Sequence, residues 1–227
     1  MKTSLKIPTW VVWILLFGSF GLLLVFSSGW YNRYHQLLKL DQEETELRAQ
    51  ISQLEDWGKW TIEYVKIEKS IDYLSKNKLS QASRRKLTEQ IWQISRSYSI
   101  DPLMILAVVA QESHGNPNAR GKMRSGKESG AMGLMQIKLE TAQKMARFFG
   151  LRVESAEDLL KPEINVAVGS AYLIRLIGKY GNWKDALIAY NLGHSAVDNM
   201  LERGKPLPTR YYEHVIAKYR NLVSLSF

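Results

Sequence analysis

DPLMILAVVAQESHGNP, residues 101 to 117, is the stretch that decides how this chain folds. Asp101 followed by Pro102 reads as a helix N-cap with proline at the first helical position. The run LMILAVVA that follows is apolar nearly all round, so it predicts a buried central helix, Pro102 to about Ser113, rather than an amphipathic surface one. Gly115, Asn116 and Pro117 then stop the helix. Glu112 stands in its last turn. A carboxyl group at the rim of a buried helix is costly to ionise, and the partial negative charge of the helix C-terminus adds to that, so both effects raise its pKa. Such a group suits proton donation to a leaving oxygen. Taken alone, Glu112 reads more readily as a helix-end carboxylate paired with Lys or Arg.

Outward from this helix the pattern stays helical. Leu87, Ile91, Ile94 and Tyr98 share one helical face upstream. Downstream, helices are predicted for Glu140 to Phe149, Ile164 to Tyr180, Trp183 to Asn191, Ala196 to Arg203 and Arg210 to Val223, with no long alternating strand. The fold class is therefore all-α, with a domain over residues 79 to 227 large enough to bury a core. The whole chain has 227 residues, 45% hydrophobic and 23% charged, which excludes a disordered or low-complexity class. It has no cysteine, which removes disulfides, thiol nucleophiles and Cys-containing metal sites. His35, His114, His194 and His214 show no ligand spacing, so no metal is expected.

Residues 1 to 30 are organised differently. No charge occurs between Lys6 and Arg33, and Trp10 to Phe26 (WVVWILLFGSFGLLLVF) is apolar apart from Gly18, Ser19 and Gly21. As a helix it covers roughly 25 Å, enough with its uncharged flanks for one transmembrane span. Lys2 and Lys6 place the short N-terminal tail in the cytoplasm and the rest outside the inner membrane. Ser27-Ser28-Gly29 keeps a cleaved signal peptide open as the alternative, and either reading exports the protein.

Residues 31 to 78 read as a helical stalk. Leu37, Leu40, Leu47, Ile51 and Leu54 follow heptad spacing, with Glu44 at one expected apolar site. Trp57, Trp60, Tyr64, Ile67, Ile71 and Leu74 repeat it one residue out of phase. The stalk suits self-association or recruitment of division or secretion partners, and equally an amphipathic helix lying on the domain or the membrane. The polar run Ser75 to Ser83 marks the boundary. Net charge is +2, −1 and +8 over residues 1 to 30, 31 to 80 and 81 to 227. That favours an anionic partner, but no basic helix with interleaved stacking aromatics appears, so nucleic acid is not expected.

Glu112-Ser113, Asn116-Pro117-x-Ala119, Gly130-Ala131-Met132-Gly133-Leu134-Met135-Gln136-Ile137 and Thr141-Ala142 come in fixed order. Pro162-Glu163-x-Asn165, Gly169, Tyr172-Leu173, Asn182-Trp183, Ala186-Leu187 and Ala189-Tyr190-Asn191-x-Gly193 continue the series. Jointly, from about Ile100 to Ile216, this resembles the catalytic domain of the soluble-type lytic transglycosylases. The resemblance implies a lysozyme-like helical domain at the periplasmic face of a bacterial inner membrane. It would cleave the β-1,4 bond between N-acetylmuramic acid and N-acetylglucosamine in peptidoglycan strands, leaving 1,6-anhydro ends without a cofactor. Glu112 matches the family's single acid/base. Ser113 matches a position that orients the acid or contacts sugar. Gly133, Met135 and Gln136 match a sugar-facing segment, Tyr190 a phenol bonded to the catalytic carboxyl, and Asn191 an amide that reads an N-acetyl sugar. Tyr212, in Thr209-Arg210-x-Tyr212, matches a late tyrosine bordering the site.

Three features depart from the family pattern. Arg120 to Ser129 is longer and more basic than the usual link, Leu139 stands where Pro is common, and His194-Ser195 replaces the common Pro-Gly. The neighbouring readings are a goose-type lysozyme-like muramidase, which would need a second carboxylate such as Glu128 to position water, and a scaffold that binds wall glycan without cutting it.

Overall fold

The computed structural model describes residues 8 to 225 except Arg124, and leaves the side chains of 15, 21 to 26, 28 and 149 undescribed. It divides into two compact units, Met1–Lys59 and Trp60–Phe227.

The first unit consists of the start of α1, a helix running Thr9–Ser75. Among the described residues no helix is long and apolar enough to cross a membrane. The expected span, Trp10 to Phe26, includes Leu15 and Gly21 to Phe26, whose side chains lie outside the described residues. The described structure therefore gives the transmembrane reading no support. From Gly29 to Lys59 every residue is exposed, including Leu37, Leu40, Leu47, Ile51 and Leu54 of the first heptad series.

The second unit begins inside α1, upstream of the boundary that Ser75 to Ser83 suggests. The out-of-phase series is part of this core: Ile67 and Ile71 are buried, Leu74 is half-buried, and the Trp60 ring meets Trp92 edge-on at 5.7 Å. The polar boundary segment is the turn between α1 and α2 (Gln81–Tyr98), with Lys76 and Asn77 at positive φ and Leu79 buried beneath it.

α3 spans Pro102–Ser113, with Asp101 Oδ1 accepting the Leu103 N–H at 2.8 Å as its N-cap. Its residues Leu103 to Ala110 are all buried, as the all-round apolar pattern predicts. Next comes an element the sequence did not reveal, a small antiparallel sheet of β1 (Arg120–Lys122), β2 (Glu128–Met132) and β3 (Ile137–Lys138) in the order β1-β2-β3. Strands of three, five and two residues are too short to carry a readable alternation, and the basic Arg120 to Ser129 segment is a hairpin rather than a loop.

α4 (Leu139–Ala146) runs into a 3-10 turn, Arg147–Phe149, and a second 3-10 turn covers Ala156–Leu160. The helices α5 (Pro162–Tyr180), α6 (Trp183–Leu192), α7 (His194–Glu202) and α8 (Arg210–Ser224) complete the unit. Asn182 caps α6 by accepting the Asp185 N–H at 2.8 Å, and Gly181 at φ 70° closes α5. The core gathers α3 with buried faces of α5 (Val166, Val168, Leu173) and α6 (Leu187, Ile188). α8 lies antiparallel along α3, because its early Tyr211 reaches Glu112 while its later Tyr219 donates to Asp101 at 2.6 Å. One face of α8, Tyr211, Val215, Tyr219 and Leu222, makes this contact at helical spacing, with Val215 and Leu222 fully buried.

Candidate active site

Glu112 sits one residue before α3 ends. His114 at φ 52° and Gly115 at φ 71° turn the chain left-handed, and a Cβ on Gly115 would come within 2.4 Å of the Leu74 carbonyl oxygen. The helix therefore stops with Glu112 half-buried at its rim. Burial is the largest influence on this carboxyl and raises its pKa. A hydrogen bond from the Tyr211 hydroxyl to Oε1 acts the other way, and more weakly. Among the described residues no Lys, Arg or His forms an ion pair with Glu112, which removes the paired helix-end reading. What remains is a desolvated acid held by one phenol, an arrangement suited to giving up a proton and taking it back.

Two tyrosines surround it. Tyr211, in the first turn of α8, has its pKa raised first by burial and then by the negative charge of Glu112, so it stays a donor. Tyr190, on α6, is buried, and burial followed by the Glu112 charge lifts its pKa well above the ordinary phenol value. Its hydroxyl, however, donates to the Met135 carbonyl at 2.9 Å. The expected bond from Tyr190 to the carboxyl is thus made by Tyr211 instead. Tyr212, expected to border the site, is the half-buried neighbour of Tyr211. The sequence signal that separates them is helical phase: Tyr211 lies four residues before buried Val215, on the face toward α3.

Other matched residues build the site's wall from behind. The Ser113 hydroxyl donates to the Val109 carbonyl at 3.1 Å within its own helix, and its hydrogen goes there rather than to Glu112. Met135 is fully buried, its sulfur against Gly169 and accepting from Ser170, and so it packs in the core instead of facing sugar. Gln136, at φ 47°, donates from Nε2 to the Gly133 carbonyl at 2.8 Å and the Ala119 carbonyl at 3.1 Å. Its amide nitrogen therefore fixes backbone where a sugar contact was expected. Gly133 has φ 75°, and a Cβ there would meet the Leu159 carbonyl oxygen at 2.2 Å and Asn165 Nδ2 at 2.4 Å. Close packing alone is enough to require glycine there. Asn191, at the end of α6, is exposed.

Asn165, of the Pro162-Glu163-x-Asn165 motif, is the centre of this wall. Fully buried on α5, it accepts the Met135 N–H at 2.7 Å and donates to the Met132 and Leu159 carbonyls at 2.7 and 2.9 Å. Its two-sided amide satisfies a turn that lacks regular secondary structure and holds the Met135 carbonyl where Tyr190 can bond it. Glu128, the second carboxylate a water-activating enzyme would need, is exposed at the start of β2 opposite Lys122.

The unit is thus helical, with a desolvated carboxyl, Glu112, at the mouth of its central helix and the Tyr211 phenol hydrogen-bonded to it. The Transglycosylase SLT domain model matches residues 89–212, and the chain belongs to that family. Over 79 residues it is 42% identical to the endo-type membrane-bound lytic murein transglycosylase A of Salmonella paratyphi B, and likewise to that of Salmonella typhimurium. The match covers 34% of this chain and 36% of each relative, so the chain spans about a third of the length of these curated relatives. Among solved structures, a complex of the 70-kDa soluble lytic transglycosylase with bulgecin A aligns with a TM-score of 0.51 at 26% identity. That alignment covers 63% of this chain and 26% of the other.

Proposed function

We propose that this protein is a peptidoglycan lytic transglycosylase that uses Glu112 as its only acid/base. The observation that carries the reading is the half-buried Glu112 carboxyl, raised in pKa by desolvation, bonded by Tyr211 and in no ion pair among the described residues. In the first step the protonated carboxyl gives its proton to the glycosidic oxygen of the leaving N-acetylglucosamine as the bond to the muramic acid C1 breaks. In the second, the carboxylate takes the proton of the muramic acid 6-hydroxyl, whose oxygen bonds to C1 and closes the 1,6-anhydro ring. The proton borrowed equals the proton returned, and no water is consumed. Tyr211 stabilises the carboxylate between the two steps, which limits the pKa rise so that both protonation states are accessible. The substrate's own acetamido group would support the positive charge at C1, the role a second carboxylate fills in most glycosidases.

The test is mass spectrometry of the fragments released from purified peptidoglycan by the full chain. Muropeptides with 1,6-anhydro ends are expected, each lighter by one water than a hydrolysed end. Reducing muramic acid ends would replace the proposal with a muramidase that activates water.

The same proposal places the protein at the bacterial inner membrane with its catalytic unit facing the wall. Support comes from the uncharged run Trp10 to Phe26 and from the membrane-bound relatives. Alkaline carbonate washing of membranes from expressing cells should leave the chain in the pellet. Its quantitative release would overturn a spanning anchor.

A further inference from the structure

The two apolar series of α1 meet different fates. The second, out of phase with the first, goes into the chain's own core through Ile67 and Ile71. The first stays exposed: Leu37, Leu40, Leu47, Ile51 and Leu54 are 52 to 72% exposed. A helix gains most of its stability in water from packing an apolar face, so an exposed seam of this length needs a cover. The step from Leu54 to Trp57, where the phase breaks, lies within a few residues of the boundary between the compact units at Lys59 and Trp60. One helix thus carries two seams in two phases, and its own domain uses only the second.

We propose that the first seam is the interface of a parallel two-stranded coiled coil between two copies of this chain. The alternating steps of three and four put Leu37, Glu44 and Ile51 at heptad position a, and Leu40, Leu47 and Leu54 at position d. In a parallel pair each g residue faces the e residue of the next heptad on the other helix. Here Glu43 meets Arg48 of the partner subunit, an attractive pair. Gln36 with Asp41, and Gln50 with Glu55, put an uncharged side chain opposite each acid, so no like charges meet among these flanking pairs. Glu44 is the one ionic residue on the seam; in a parallel pair it faces Glu44 of the partner subunit, and Arg48 on its own helix, bonding it at 2.7 Å, offsets that charge. A polar residue at a single a position fixes register and strand number at some loss of stability, and Glu44 fills that role.

Because the chain lacks cysteine, the seam can be read by single substitutions in the full-length protein. Leu40→Cys, Leu47→Cys and Leu54→Cys lie on the seam, while Gln42→Cys, Ala49→Cys and Asp56→Cys lie on the opposite face. Under mild oxidation, a parallel pair gives disulfide-linked dimers at all three seam positions, severalfold above the opposite face. Adding Glu44→Leu to Leu40→Cys should raise the dimer yield further. Linkage confined to Leu47→Cys would show an antiparallel pair and overturn the orientation. Equal or absent linkage on both faces would overturn self-association and leave a lipid surface or another protein as the cover.

Discussion

Glu112→Gln should lower turnover of peptidoglycan by about 10³-fold or more while leaving the protein folded. Glutamine keeps the shape of the side chain and still accepts the Tyr211 hydroxyl, but it has no proton to give. Stability should move in the opposite direction from activity. Burial raises the Glu112 pKa in the folded state, so the group favours folding while protonated and loses that contribution as pH rises from its unfolded pKa through its folded one. A neutral amide lacks this loss. At neutral pH the variant is therefore expected to melt at a temperature equal to or above that of the wild type. Thermal unfolding beside the activity assay checks both, and an active variant would remove Glu112 from the chemistry.

Tyr211→Phe tests the bond that the structure puts on the carboxyl. A hydrogen bond to a charged group contributes about 1.5 to 3 kcal/mol, so its loss should cut kcat by roughly ten- to a hundredfold. Its sign on pH dependence is distinctive. The Tyr211 bond lowers the Glu112 pKa against the rise from burial, so removing it lets the pKa climb further. Activity requires the protonated acid at the start, so the alkaline limb of the pH–rate profile should shift to higher pH in Tyr211→Phe. Tyr190→Phe removes a bond to the Met135 carbonyl instead, and its limb should stay closer to that of the wild type. Identical limbs in wild type and Tyr211→Phe would mean that the phenol does not hold the carboxyl in solution.

The helices were legible because their signals are local. Asp101-Pro102 and the apolar run after it gave α3 its start, length and burial, and an end at Ser113 matched by the left-handed His114 and Gly115. The same local logic located α5 to α8 to within about two residues, inside the usual uncertainty of helix ends. The short sheet escaped because its strands are brief and its hairpin is polar. Among site residues, Met135, Gln136 and Gly133 have contacts within the fold that the sequence did not announce. The Met135 side chain packs on Gly169, the Gln136 amide bonds the Ala119 carbonyl and the Gly133 backbone lies against Asn165, and no spacing along the chain announces those contacts.

By itself, the sequence determined a mostly helical domain with a carboxyl at the mouth of a buried helix, because caps, turns and apolar periodicity act over four or five residues. The tertiary structure alone decided which tyrosine holds that carboxyl. Tyr211 is 99 residues from Glu112 in the chain. The two meet because α8 lies antiparallel on α3, a packing choice that turns Tyr211 inward and makes Tyr212 its neighbour. It also decided that Asn165 is the pin of the Met132 to Gln136 turn, since a buried amide with donors and an acceptor can satisfy three backbone groups that the local fold leaves unpaired.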